Sequence, residues 1–251
     1  MTGLKTLFMK EMRRFLKVAT QTLIAPLVST LLYLLVFSQV LKGRGEVYAG
    51  VSYGTFLIPG LVMMAMLQNA FANSSSSLVQ SRITGNLVFL LLSPLSAGEI
   101  YWGYVLAAMV RGLLVGGVVY MTALFFFEMS ITAVVWVFLF AVLGTLLTGT
   151  LGILAGLWSE KFDQMAAWQN FVIVPLTFLS GAFYSLKGLA PMWQNLSHLN
   201  PFFYVTDGFR YGFFGQSDVS PVLSLLIVLL CCAVLMGVTG WLLHRGWRIR
   251  N

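Results

Sequence analysis

Residues 221–243 read PVLSLLIVLLCCAVLMGVTGWLL, a run without a single charged side chain. A helix needs about 20 mostly apolar residues to cross the hydrocarbon core of a bilayer. This run is long enough, and the reading extends outward to five more runs at 18–41, 53–72, 100–127, 131–158 and 165–184. The composition agrees. The chain of 251 residues is 59% hydrophobic and only 9% charged, against about 25% charged in soluble domains. It cannot clothe itself in charge, so lipid is its main solvent. The expected fold class is an all-α membrane protein with six transmembrane helices, built as one membrane domain over 1–251.

The net charge of +7 does not point to nucleic acid. Nucleic-acid readers gather Lys and Arg on one wet face. Here the basic residues stand mostly at the ends of apolar runs, where they set topology. An even number of spans puts both termini on one side. With that side cytoplasmic, the inside residues are Lys5, Lys10, Arg13, Arg14, Lys17, Arg82, Lys161, Arg245, Arg248 and Arg250. The outside ones are Lys42, Arg44, Lys187 and Arg210. The positive-inside rule then places both termini in the cytoplasm.

The first seventeen residues, MTGLKTLFMKEMRRFLK, form an element of their own. Leu4, Leu7, Phe8, Met12, Phe15 and Leu16 recur at helical spacing, with the basic residues largely between them. This predicts an amphipathic helix lying along the cytoplasmic leaflet. The apolar run behind it is too long for a signal-peptide core and lacks a small-residue cleavage pattern. The run of serines at 74–77 is expected to close the second span. Cys231 and Cys232 are adjacent inside an apolar run, which suits packing rather than a disulfide.

The sequence carries no G-x-x-x-x-G-K-[ST] and no H-E-x-x-H, and it lacks a Cys/His cluster with metal spacing. No cofactor is expected in this chain, and no enzymatic activity. None of the eight acidic residues falls in the middle of a run, so protons or sodium ions have no evident relay. Work done by this protein would draw its energy from a partner. Arg111 is the exception, a charge within the third run. It either snorkels to the cytoplasmic headgroups or faces an aqueous pathway and contacts anionic cargo.

Two connecting segments stand out. The first, RITGNLVFLLLSPLSAGEI at 82–100, holds a short apolar stretch between Asn86, a candidate helix cap, and Pro94. Six apolar residues cannot cross a membrane, and such a helix fits a hydrophobic groove on a partner. The second, LSGAFYSLKGLAPMWQNLSHLNPFFYVTDGFRYG at 179–212, is too broken to span and unusually aromatic.

The pattern R-x-x-G-x-L-x-x-L-L-x-S-P-L-S-x-x-E-I resembles the coupling segment of ABC-2-type transporter permease subunits. PLTFLSGAFYSLKGLAPMWQ, followed by LNPFFY and GFRYG, resembles the outer signature of the same family. The order of segments matches over essentially the whole chain. The resemblance implies the membrane half of an ATP-driven exporter in the bacterial inner membrane. Two copies would pair, and two separate ABC ATPase subunits would carry ATP and magnesium. By the same resemblance Arg82, Gly85, Asn86, Leu87, Leu90, Leu91 and Pro94 belong to the coupling segment at 82–94, with a smaller contact at Glu160, Lys161 and Asp163. Relatives often carry an acid near positions 88 and 89. This chain has Val88 and Phe89, which favours an apolar contact. The segment at 185–215 would fold as short re-entrant helices shielded from lipid.

Phe183, Tyr184, Pro191, Trp193, Asn200, Pro201, Tyr204 and Arg210 are candidates for an outer gate, the alternative being an aromatic belt at the interface, to which Phe202 and Phe203 would also contribute. The family exports polysaccharides, lipo-oligosaccharides and hydrophobic drugs. The aromatic content here leans towards a drug or a lipid-linked amphiphile. Two other classes stay open: an ion-coupled secondary transporter, and a membrane-embedded lipid-modifying enzyme built on His198, Asp207 and Arg210.

Overall fold

The computed structural model describes residues 2–40 and 46–246. Lys42, Arg44, Arg248 and Arg250, which entered the charge count, lie outside the described residues, as does the end of the first run at Leu41.

Helix α1 (Thr2–Lys17) is followed by α2 (Ala19–Val40), a small hairpin of β1 (Glu46–Tyr48) and β2 (Val51–Ser52), and α3 (Tyr53–Ile83). Next come α4 (Asn86–Leu92), α5 (Ala97–Ala123) and α6 (Val134–Trp158). A broken helix then runs through α7 (Phe162–Trp168), a π-helical turn (Gln169–Ile173) and α8 (Val174–Phe178). A 3₁₀ turn (Leu186–Gly188), α9 (Pro191–His198), α10 (Pro201–Phe214) and α11 (Pro221–Arg245) complete the chain. The hairpin departs from an all-α expectation. Gly50 at φ 77° turns it, and Tyr48 packs edge-on to Phe56.

Among the described residues, five helices are long and apolar enough to cross a membrane: α2 over Ala19–Phe37, α3, α5, α6 and α11. Helix α3 is the axis of the bundle, packed on α6, α5, α2 and α10. The serines at 74–77 do not end it. The helix runs on to Ile83 and buries Ser74, Ser75 and Ser77. Ser74 Oγ donates to the Gly149 carbonyl at 2.7 Å, and Ser75 Oγ donates back to Phe71. Small hydroxyl residues serve as contact points between membrane helices, where backbones can approach and the hydroxyl finds a carbonyl. The facing residue on α6 is Gly152, where a Cβ would stand 2.2 Å from Ser74 Oγ and 2.5 Å from the Phe71 carbonyl oxygen.

Helix α1 packs on the bundle. It runs parallel to the first half of α5, with Gly3 beside Leu95, Leu7 over Gly103 and Phe15 beneath Arg111. Leu7, Glu11 and Phe15, four residues apart, are buried by this contact. Helix α5 starts at Ala97, before the expected 100, because Ser96 and Glu99 form a capping box.

The run at 165–184 is not one continuous helix. Pro175 has no N–H to donate, and the turn before it opens so that Val174 N–H reaches the Gln169 carbonyl, five residues back. The helix stops at Phe178. Its start follows the end of α6 and packs on α3. Beyond its end, Phe183 O accepts a hydrogen bond from the Tyr53 hydroxyl at the opposite end of the bundle.

Candidate functional site

At the α4 end, Gly85 adopts φ 72° and begins α4. Gly85, and not Asn86, is the N-cap. Asn86 is the first helical residue and donates from Nδ2 to Thr84 Oγ1. Leu87 turns inward at 8% exposure. The outward face is Val88, Phe89 and Leu92, exposed by 56%, 72% and 77%. Leu90 and Leu91 lie on the helix, with side chains outside the described residues. Pro94 is exposed in the link to α5.

Arg82, at the root of α4, donates from Nη1 to the Ser159 carbonyl at 2.8 Å and from Nη2 to the Leu157 carbonyl at 3.2 Å. A guanidinium on the last carbonyls of a helix satisfies orphan acceptors and complements the helix dipole. It fastens α4 to the turn where Glu160, Lys161 and Asp163 are all exposed. Lys161 is the N-cap of α7 and Asp163 lies in its first turn. Arg82 thus brings the root of α4 beside the turn at Glu160, Lys161 and Asp163.

At the opposite end, the segment at 185–215 divides into a half-exposed α9 and a buried α10. Trp193 on α9 is 47% exposed, and Pro191 is the first residue of that helix. Asn200 caps α10, accepting from Phe202 N and donating from Nδ2 to the Leu176 carbonyl at 2.7 Å, with Pro201 in the first turn. Phe202 and Phe203 are core residues and not interfacial anchors. Tyr204 is buried and donates from its hydroxyl to the His198 carbonyl, while Phe183 stacks on Phe178 and Tyr184 packs at the rim.

Arg210 is 0% exposed. It lies 3.9 Å over the Phe56 ring and donates from Nη2 to the Gly181 carbonyl. Asp207 accepts from the backbone N–H groups of Asp218 and Val219 at 2.9 and 3.0 Å. Asp218 in turn accepts from Ser185 Oγ and Leu186 N. Burial pushes the Asp207 carboxyl up to about 6, against the lowering effect of those backbone bonds and of Arg210. His198 instead sits against the rings of Phe203 and Tyr204. Among the described residues, His198, Asp207 and Arg210 do not form an exposed acid–base cluster.

The third site is a cavity of about 440 Å³ between α2 and α3. Sequence reasoning singled out only Arg111 from it. Arg111 sits midway along α5 and points across to α3, with Nη2 3.3 Å from Asn69 Oδ1 and Nη1 3.5 Å from Asn73 Oδ1. It lines the cavity. Gln21, Thr22, Ser29 and Thr30 of α2 face it, and Gln169, the first residue of the π turn, closes the wall. Gln21, Thr22, Ser29 and Thr30 were visible in the sequence of α2, but the residues that face them were not.

A bundle of apolar helices with an open, partly polar cavity between α2 and α3, and with no exposed catalytic cluster among the described residues, has the build of a multi-pass membrane transport protein. The family model described as "ABC-2 type transporter" matches residues 2–214. The inner membrane transport permease YadH of Escherichia coli (strain K12) is 39% identical over 250 residues, covering 99% of this chain and 97% of that protein. Nodulation protein J of Neorhizobium galegae is 25% identical over 221 residues, covering 88% of this chain and 84% of its own length. The chain belongs to the ABC-2 type transporter family and is a membrane transport permease.

Proposed function

We propose that the chain is the membrane subunit of an ATP-driven exporter, working as a homodimer with two separate ABC ATPase subunits in a bacterial inner membrane. The observation that carries this reading is the apolar face of Val88, Phe89 and Leu92, held out from the bundle on a seven-residue helix. Three large apolar side chains on so short a helix suit a groove on a partner. Arg82 couples their movement to the end of α6, so a displaced α4 would pull on the bundle. ATP would bias a two-state membrane domain without this chain making or breaking a bond.

The segment from Phe162 to Phe183 supports a sixth crossing, since its two ends contact opposite ends of the bundle. With α9 and α10 it would form the outer, re-entrant segment and its gate, with both termini cytoplasmic. Trp193 and Tyr204 are the gate residues with the clearest exposure and anchoring.

The test is co-expression of the full chain with the ABC ATPase subunits of its host, followed by co-purification. F89D places a charge in the contact and should abolish co-purification and ATPase stimulation while the purified chain keeps its unfolding temperature. Unchanged capture of the ATPase by F89D would sink the reading.

A further inference from the structure

The cavity beside Arg111 carries a charge imbalance. Arg14 and Arg111 converge on one amide oxygen, Asn73 Oδ1, at 3.2 and 3.5 Å. The carboxylate in this cluster is Glu11, which is taken by Arg14 at 3.2 Å and Lys10 at 3.6 Å. Among the described residues no carboxylate pairs with Arg111. Its Nε and the Nδ2 of Asn73, a residue 1% exposed, are buried donors without a partner. Buried donors and an unpaired cation midway along a membrane helix are costly, and such groups mark binding sites.

The lining is graded along the cavity. Gln21, Asn69 and Arg111 stand at one end, and Tyr33, Leu61 and Met64 at the other. The polar wall of α2 belongs to a helix whose other side exposes Ile24, Val28 and Leu32. The π turn begins at Gln169, on the cavity wall, and such turns recur at functional sites. A neutral polar ligand would be served by the amides and hydroxyls alone and would leave the guanidinium uncompensated. An oxyanion in the cavity accepts from the Arg111 guanidinium, with the Gln68, Asn69 and Gln169 amides on the same wall, and neutralises the excess charge.

We propose that this cavity binds the oxyanion head, a phosphate or carboxylate, of an amphiphilic cargo, with Arg111 and Asn69 holding the head and the Tyr33–Leu61 end taking the first part of the tail. The proposal deepens the permease reading above and names its substrate class.

Binding is measured by equilibrium titration on the full chain in phosphatidylcholine nanodiscs. The probes are a short-chain phosphatidic acid, the diacylglycerol with the same tails, and inorganic phosphate as competitor. Saturable binding of phosphatidic acid, none of diacylglycerol, and displacement by phosphate only at far higher concentration are expected. R111Q should weaken binding at least about tenfold and R111K less, because Lys keeps the charge and loses the fork. N73D, which sets a carboxylate beside Arg111, should expel the ligand while raising the unfolding temperature. That result would not follow from a bracing role for Arg111 alone. Should R111Q fail to fold, N73D and the two lipid probes on the wild-type chain decide.

Equal binding of diacylglycerol, or unchanged binding in N73D, would overturn the site. Displacement by phosphate and phosphatidic acid at equal concentrations would overturn its assignment to an amphiphile. The assay contains no ATPase. Loss of lipid binding with the ATPase still captured through Phe89 removes this inference alone. Lipid binding without any ATPase capture removes the exporter reading and leaves the site.

Discussion

Arg82 shows how much a single side chain decides in this bundle. Its two bonds to α6 carbonyls join the α4 surface to the turn at Glu160. Hydrogen bonds from a charged donor contribute about 1.5–3 kcal/mol when buried, and this one is part-buried, so R82A should cost about 1–2 kcal/mol in thermal unfolding. It should also reduce stimulation of the ATPase more than its binding, because α4 stays apolar but loses its tie to α6. Full stimulation in R82A would remove that link. Asp207 gives a pH signature. Its carboxyl ionises near 3.9 in an unfolded chain and near 6 in the fold. Between those values the folded chain holds a proton that the unfolded one has lost. Its share of stability therefore falls as pH rises from about 4 to about 6, by on the order of 2–3 kcal/mol, and is level above that. A scan of unfolding temperature against pH should show this slope, and D207N should flatten it. The type of these residues was legible in the sequence, but their partners were not. Nothing local in R-I-T-G says that Arg82 reaches a carbonyl on another helix, and only the fold brings Arg111 to Asn73.

Among the elements, the contact of α3 with α6 sets how tightly the bundle closes. Gly152 leaves no room for a side chain against Phe71 and Ser74. G152V forces the two backbones apart and removes the Ser74–Gly149 bond, costing about 1–3 kcal/mol. G237A on α11, where a Cβ meets nothing within 4 Å, should unfold at the wild-type temperature. A G152V protein as stable as G237A would show that the helices can shift without loss. The helix starts were more legible than the stops. Ser96-x-x-Glu99 is a start signal written in the sequence, and reading apolarity alone put the start of α5 three residues late. The serines at 74–77 misled because a polar run in a membrane helix ends the apolar stretch without ending the helix. The π turn escaped for a different reason: Pro175 announces a lost bond, but whether the chain kinks, stops or opens into a wider turn depends on the neighbours that receive the freed groups.

For the whole molecule, apolar runs and charge counts define a membrane bundle, and five of the six runs are helices of spanning length. The remaining run, at 165–184, decides the topology. Helix α4 follows α3, and α9 lies beyond α5, α6 and the broken helix. If the segment from Phe162 to Phe183 crosses the bilayer, α4 and α9 face opposite compartments. If it folds back, they share one. Single cysteines in place of Phe89 and Trp193, both exposed, separate these cases once Cys231 and Cys232 are replaced by alanine. A membrane-impermeant maleimide should label the Trp193 position in intact cells with the outer membrane permeabilised, and the Phe89 position only in inverted vesicles. Labelling of both positions from the same side would remove the sixth crossing, and with it the outer gate. Labelling from opposite sides in the reverse sense would keep the crossing and move the termini out of the cytoplasm, placing α4 where no ATPase could reach it.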